Sequence, residues 1–399
     1  MKNIARATAA TVAACTLLTA APAASSAPIS HSASIGGHRG LQTVLDQAVT
    51  TAGLPGAMAE VHDGDSTWFG QAGTADRNTG RPLRPQDRFR IGSTTKTFVA
   101  TVLLQLEAEH RLSLDDSVER WLPGLVDGNG YDGSRITLRQ LLNHTSGIAN
   151  FAVADQVSKD FQGEPFLQHR FDSFTPRQLV RLGISVKPDF APGTGWRYSD
   201  TNYVLAGLVI EQATGHHLAQ EITDRFVKPL HLKSTYEPTG DDTAVHGPHG
   251  RFYSKLGPMN APTLPQYDVT ELNPSWGYGS GDLISTTGDL STFFRALLAG
   301  RLLPPAQTAE MVTVQDPGNA WIPDSRYGLG VASLTLSCGQ VWGMGGAING
   351  SWSYTFGTRD GRHLLSTEVN GDWADGEQWG PISVFTKELE AEFCGKTAA

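Results

Sequence analysis

The segment RIGSTTKTFVATVLLQLE, Arg90 to Glu107, carries two signals at once. Phe98, Val99, Val102, Leu103 and Leu106 recur at the three- and four-residue spacing that marks the stripe of a buried helix. At the mouth of that helix stand Ser93 and Lys96, three apart and so on one side of it. The plain reading is a hydroxyl N-cap followed by a surface lysine. The chemical reading is a serine nucleophile with an amine beside it, a recognised alternative to the Ser–His pair. An S-x-x-K spacing arises by chance in a long chain, so the rest of the sequence has to decide.

Composition narrows the field. The chain has 399 residues, 39% hydrophobic and 18% charged, as expected of a globular protein of two or three domains or one composite domain. The net charge of −9 and the absence of any basic run argue against nucleic acid as a partner. Lys2 and Arg6, the apolar run Ala7 to Ala20 and the small residues Ala21-Pro22-Ala23 read as a signal peptide over residues 1–27, so the protein is expected to be secreted. Val12-Ala13-Ala14-Cys15 resembles a lipoprotein box, which makes a lipid anchor at Cys15 the alternative. No later apolar stretch is long enough to span a bilayer. In an exported chain the two remaining cysteines, Cys338 and Cys394, suggest one disulfide; two buried free thiols are the alternative.

Periodicity divides the chain. Strands are expected at Ala57 to Val61 and Ser66 to Phe69, around the turn His62-Asp63-Gly64-Asp65. Helical pattern and loops then run to about Gly300, including a helix opened by a T-x-x-D capping box at Thr286-Thr287-Gly288-Asp289. From Tyr327 the pattern returns to strands: Tyr327 to Leu334, Gln340 to Ala347, Trp352 to Gly357 and His363 to Val369, with a turn at Arg359-Asp360-Gly361 and a closing helix Ile382 to Phe393. Strands at both ends imply a discontinuous α/β sheet domain from residues 38–125 and 301–395, a mainly helical domain over 126–300, and a short tail at 396–399.

A Ser–Lys pair needs a third group to manage protons, and Tyr198 in WRYSDTNYVLAGLVIEQATG, ahead of a second apolar helix, is the candidate. G-x-S-x-G is absent. STTK at Ser93, YSD at Tyr198 and WGMGGAINGSW at Trp342 stand in the order and spacing of the serine penicillin-recognising hydrolases. LSLDDSVERWLPGL, LLNHTSGI, SGDLISTTGDLSTFFRALLAG and YGLG match the same pattern. The chain thus resembles a family of DD-peptidases, class C β-lactamases, D-aminopeptidases and related esterases, most closely an exported DD-carboxypeptidase/transpeptidase, over essentially its whole mature length.

The resemblance implies an antiparallel sheet flanked by helices, α/β plus all-α, with a helical insertion. It implies attack by Ser93 Oγ on a carbonyl, acid–base work shared by Lys96 and Tyr198, and an oxyanion hole made of the backbone N–H groups of Ser93 and Ala347. The acyl-enzyme would pass its acyl group to water or an amine, with no cofactor and no metal. Expected partners are peptide, amide or ester substrates, with β-lactams among the acylating agents, and the protein is expected to be a monomer.

Two departures shape the substrate. The second motif ends in Asp200 where the family has Asn; a carboxylate near Lys96 favours its ammonium form, which moves the expected proton acceptor to Tyr198, or else Asp200 points away or meets a substrate amine. The third motif is Met344-Gly345-Gly346, without its usual His or Lys, and Tyr327 to Thr358 contains no Lys, Arg or His. The positions that would hold a terminal carboxylate correspond to Ala332, Gly345 and Ala347, so carboxypeptidase activity should be weak. Asp200, Trp276, Met344, Gly345 and Gly346 are the substrate-binding candidates; Trp276, Trp352 and Tyr354 line a groove or pack in the core. The function expected is peptide or amide cleavage at D-residues. The alternatives are an esterase or D-specific endopeptidase or amidase acting on a blocked C-terminus, and a degenerate penicillin-binding module without turnover. His144 is expected to hold a loop by hydrogen bonding, and His246 with His249 makes a poor metal site.

Overall fold

The computed structural model of the chain describes residues 37–257, 263–373 and 380–396; the expected signal segment and Cys15 lie outside them. Its centre is a seven-stranded antiparallel sheet. We label its strands β1 (Gly56–Asp63), β2 (Ser66–Gly73), β3 (Ser325–Tyr327), β4 (Ala332–Leu336), β5 (Gly339–Ile348), β6 (Ser351–Gly357) and β7 (His363–Val369). Their order in space is β2-β1-β7-β6-β5-β4-β3, so strands from both ends of the chain meet where β1 pairs with β7.

Helices cover both faces. Ser366 and Thr367 are neighbours on β7 and therefore point to opposite sides. Ser366 meets Ser291 of the helix Thr287–Leu298, while the helix Pro381–Cys394 brings Glu388 against the Thr367 side. Cys338, just ahead of β5, is disulfide-bonded to Cys394 with Cα atoms 5.4 Å apart, tying that last helix to the strand that forms the site.

Two helices matter most for function: α1 (Thr95–Ala108) and α2 (Asp200–Thr214). The expected stripe on α1 is buried, but so are Thr97, Ala100, Thr101 and Leu104 on its other sides. On α2, Thr201 through Ile210 are all buried. A helix buried all round lies inside the molecule rather than on its surface. Phe98 of α1 stacks on Phe293 at 3.7 Å and meets Phe226 edge-on at 6.0 Å, which anchors α1 between the sheet side and the helical middle.

Two expectations need correction. The strand expected over Tyr327 to Leu334 is broken into β3 and β4 by a turn at Gly328–Val331. The cause is packing against α1: Gly330 is left-handed (φ 71°), a Cβ there would lie 2.5 Å from Ala100 Cβ, and its carbonyl accepts from Thr97 Oγ1 at 2.6 Å. The capping box at Thr286 is only half formed. Thr286 Oγ1 accepts from Asp289 N, but the Asp289 carboxylate instead accepts from Ser234 N (2.7 Å) and Thr235 Oγ1 (2.9 Å), binding a distant loop.

Candidate active site

Ser93 sits in a single 3-10 turn, Gly92–Thr94, that feeds α1. The turn lies against β5, and glycines make the approach possible. A Cβ on Gly92 would come 2.6 Å from Ala347 N, and one on Gly346 would come 1.8 Å from Ile91 O. Gly92 also has a left-handed φ of 49°. β5 and β6 are joined by the two-residue loop Asn349-Gly350, closing on the pair Ile348–Ser351. The closing pair of such a hairpin shares its hydrogen bonds, so at the next pair, Ala347–Trp352, the Ala347 N–H points out of the β5–β6 ladder. β4 pairs with β5 only as far as Gly343, which leaves that N–H facing the Ser93 turn. The backbone therefore presents two donors side by side, at Ser93 and Ala347.

Two side chains converge on the serine, and a third, Asp200, backs one of them. Tyr198 OH donates to Ser93 Oγ at 2.7 Å and Lys96 Nζ donates to it at 3.1 Å. Lys96 is fully buried, and its Nζ also donates to Asp200 Oδ1 at 2.7 Å and Ser280 O at 2.6 Å. Asp200 Oδ2 accepts from Asn150 Nδ2 at 3.0 Å. Asp200 thus stands against Lys96 rather than pointing away from it, one of the placements the sequence left open. The accompanying expectation, that Tyr198 accepts the serine proton, meets an obstacle. Burial and the charge of Asp200 push the Tyr198 phenol well above its ordinary range, and its bond to Ser93 offsets only part of that. In the free protein Tyr198 is a neutral O–H donor.

His144 holds this arrangement from behind. It is buried, takes a left-handed φ of 62°, and accepts at Nδ1 from Ser199 N (3.3 Å) and Asn202 Nδ2 (3.2 Å) at the start of α2. Burial and the nearby Lys96 charge push its pKa well below 6.5, so the ring is neutral. Its centroid lies 4.5 Å from that of Tyr198.

Beside Ser93 opens a cleft of about 350 Å³. Its walls are Met344, Gly345, Gly346 and Ala347 of β5, Trp352 and Tyr354 of β6, Trp321-Ile322-Pro323 from the loop before β3, Ile382 and Tyr198. None of these residues carries a cation. Gly345 has no side chain because the Tyr354 ring stands where one would go: a Cβ would be 2.3 Å from that ring. A hydroxyl-bearing residue there would have to displace Tyr354, which is buried and stacked on Phe385 at 4.5 Å. Trp276 is not in this cleft. It lines a second, larger one of about 710 Å³ with Phe161, Ser254 and Asp372, and the two clefts meet at Ala347 and Trp352.

The geometry thus brings together Ser93, Lys96, Tyr198, Asp200, Met344, Gly345, Gly346 and Ala347. Sequence reasoning missed Asn150, Ser280 and Trp321. Asn150 lies two residues after the family-like stretch LLNHTSGI, and Ser280 opens the stretch SGDLISTTGDLSTFFRALLAG. Trp321, stacked nearly parallel to Tyr198 at 6.2 Å, comes from a loop with no such signal. Among the described residues no cluster of three or more His, Cys, Asp or Glu is arranged to hold a metal, and no helix is long and apolar enough to cross a membrane. His246 and His249 each turn to a local partner, Asp242 and Gly247 O respectively.

Comparison with known proteins gives the chain a family and relatives. The Beta-lactamase family matches residues 41–370. Esterase EstB of Burkholderia gladioli is 36% identical over 200 residues, covering 48% of this chain and 50% of its own length. The chain spans about half the length of the curated relatives it matches. Among solved structures, a D-stereospecific amidohydrolase from Streptomyces sp. superposes with a TM-score of 0.82 at 47% identity, over 90% of this chain and 99% of that one. A D-amino acid amidase from Ochrobactrum anthropi SV3, complexed with D-phenylalanine, gives a TM-score of 0.75 at 25% identity, over 90% of this chain and 99% of that one.

Proposed function

Given that the chain belongs to the Beta-lactamase family, we propose that it is an exported serine hydrolase that cleaves amide bonds of D-amino-acid derivatives lacking a free C-terminal carboxylate. The observation that carries this reading is the meeting of Tyr198 OH and Lys96 Nζ on Ser93 Oγ at the mouth of an apolar cleft without a cation. Ser93 is the nucleophile, and the N–H groups of Ser93 and Ala347 receive the oxyanion as the carbonyl becomes tetrahedral. Tyr198, an O–H donor to Ser93 Oγ, is placed to protonate the departing amine. Water then releases the acyl group. Met344, Trp352, Tyr354 and Trp321 shape the apolar part of the substrate's site, and the absence of a charged partner there disfavours a free carboxylate.

The preference for D-residues rests on likeness to the D-stereospecific amidohydrolase and the D-amino acid amidase. Ester cleavage is the second reading, supported by the likeness to the esterase and by a cleft whose apolar walls do not distinguish an oxygen from a nitrogen leaving group. The test is a panel of D- and L-amino-acid amides, peptides and esters, with intact-mass detection of the acyl-enzyme, on wild type and Ser93→Ala. Turnover and an adduct on wild type alone support the reading. Neither adduct nor turnover with any acyl donor would leave a binding module.

A further inference from the structure

Ser93 cannot bond to carbon until its proton has somewhere to go, and neither group touching Oγ is ready to take it. Tyr198 is a donor in that contact. Lys96 directs its three N–H bonds at three acceptors, Ser93 Oγ, Asp200 Oδ1 and Ser280 O, which is the pattern of an ammonium with no lone pair free. One anionic group is joined to Ser93 Oγ through that hydrogen-bond chain: Asp200, one atom beyond Lys96 Nζ. We propose that Asp200 is the final acceptor of the Ser93 proton, reached through Lys96. This rests on the reading above that Ser93 is the nucleophile.

The transfer balances. Lys96 gives one proton to Asp200 Oδ1, turning the ion pair into a neutral amine and a carboxylic acid. The freed Lys96 lone pair takes the proton of Ser93 as Oγ attacks the carbonyl, so Lys96 becomes an ammonium again. Collapse of the tetrahedral intermediate breaks the C–N bond, and the Tyr198 proton goes to the departing nitrogen. At the acyl-enzyme the negative charge has moved from Asp200 to Tyr198, and Lys96, an amine only in passing, is again the ammonium between them. Deacylation reverses the flow: water protonates the tyrosinate as it attacks, and the Asp200 proton returns through Lys96 to Ser93 Oγ.

Two structural features favour the sequence, one at its first transfer and one at its last. Lys96 is fully enclosed, while the Asp200 side chain keeps 23% of its surface exposed. A substrate lying over Asp200 would remove that water, and a buried ion pair loses ground to its neutral form as it is dehydrated. The second feature is a coupling. The charge of Asp200 is one of the two causes that hold the Tyr198 phenol up. Protonating Asp200 removes that cause when Tyr198 has to give up its proton. The other titratable groups that feel the pair are His144 and Asp282, which feel the charge of Lys96, and Tyr327, which feels both. Tyr203 joins them, its ring 5.6 Å from Lys96 Nζ. Asp282 needs a control, because burial raises it to about 7.

The experiment compares pH–rate profiles of wild type and Asp200→Asn on one amide substrate, each also in an Asp282→Asn background. With Asp200 as acceptor, the acidic limb of kcat/KM belongs to a carboxylate; without it, the limb belongs to an amine and should move up by two pH units or more. The rate at pH 7 should fall at least a hundredfold and recover toward alkaline pH. An acidic limb that stays within half a unit, or a rate at pH 7 within threefold of wild type, would overturn the proposal. Infrared difference spectra of the trapped wild-type acyl-enzyme supply a second reading should Asp200→Asn not fold. A new protonated-carboxyl band is required, still present in Asp282→Asn, and its absence also overturns the relay. Failure of the underlying reading looks different: Ser93→Ala would keep its turnover, or no adduct would form on wild type.

Discussion

Glu388 should depress stability by several kcal/mol at pH 8, and replacing it should recover that loss in a pH-dependent way. Glu388 is fully buried on the last helix, against β7, and neither carboxyl oxygen has a hydrogen-bond partner among the described residues. The Thr367 hydroxyl nearby donates to Met58 O at 2.9 Å. Burial raises the carboxyl from 4.5 to about 8. Below the unfolded value both states are protonated and there is no penalty. As pH rises toward the folded value, only the unfolded chain releases its proton, so stability is lost progressively; above about 8 the loss is complete. The gap of about 3.5 units at about 1.36 kcal/mol each gives a ceiling of roughly 5 kcal/mol, and relaxation with water entry brings the expected value to about 2–4 kcal/mol. Glu388→Met keeps the volume and removes both the charge and the unpaired oxygens. Urea midpoints of both proteins from pH 4.5 to 9 give the difference directly. Any packing effect of Met is the same at every pH, and the buried carboxyl of Glu368, raised by burial and the charge of Asp87, is common to both proteins and cancels. A stability difference that is flat across that range would refute the reasoning.

Two further outcomes follow from the site. Tyr198→Phe should slow amide hydrolysis by roughly a hundredfold to ten-thousandfold, the scale of a lost general acid, and slow acylation by an aryl ester far less, because a phenolate leaves without help. Equal losses on both substrates, measured as single-turnover acylation rates, would remove Tyr198 from the leaving-group step. With matched acyl groups, an amidated or esterified C-terminus should give a kcat/KM at least tenfold above the free acid, about 1.4 kcal/mol of transition-state binding. A wild type that prefers the free acid by a wide margin would mean that a cation reaches the cleft.

The fold and the candidate site were legible in sequence for different physical reasons. Strand alternation and the STTK, YSD and GMGG stretches are local patterns, and the chain follows them at Ser93, Tyr198 and β5. The apolar stripe marked α1 as a buried helix, but the enclosure of Thr97, Ala100 and Thr101 was not readable, because small or hydroxylated residues hide burial from a periodicity argument. The break at Gly328–Val331 was hidden for a similar reason, since the residue that demands it, Ala100, is more than two hundred positions away. Trp276 illustrates the converse. It lies in a motif-like stretch but lines the neighbouring cleft, whereas Trp321, with no motif around it, faces Tyr198. Which aromatic enters a cleft is decided by loop paths, and those leave no period in the sequence.

The exchange of Asn for Asp at position 200 and the loss of a cation at position 344 have one electrostatic consequence in common. With Asn at the first position and Lys or His at the second, a site of this kind would present a carboxylate with one or two uncompensated positive charges. Here Asp200 neutralises Lys96 at 2.7 Å, and Met344 contributes no charge at all. The net charge seen by a substrate falls by as much as two units, at distances where a cleft shielded from water screens little. A free terminal carboxylate then has neither a partner nor a favourable field. A neutral amide loses nothing. The two replacements therefore support each other: each alone would leave half of the attraction for an anionic terminus, and together they remove it. The order expected of substrates follows from that sum, with neutral amides and blocked peptides ahead of free acids.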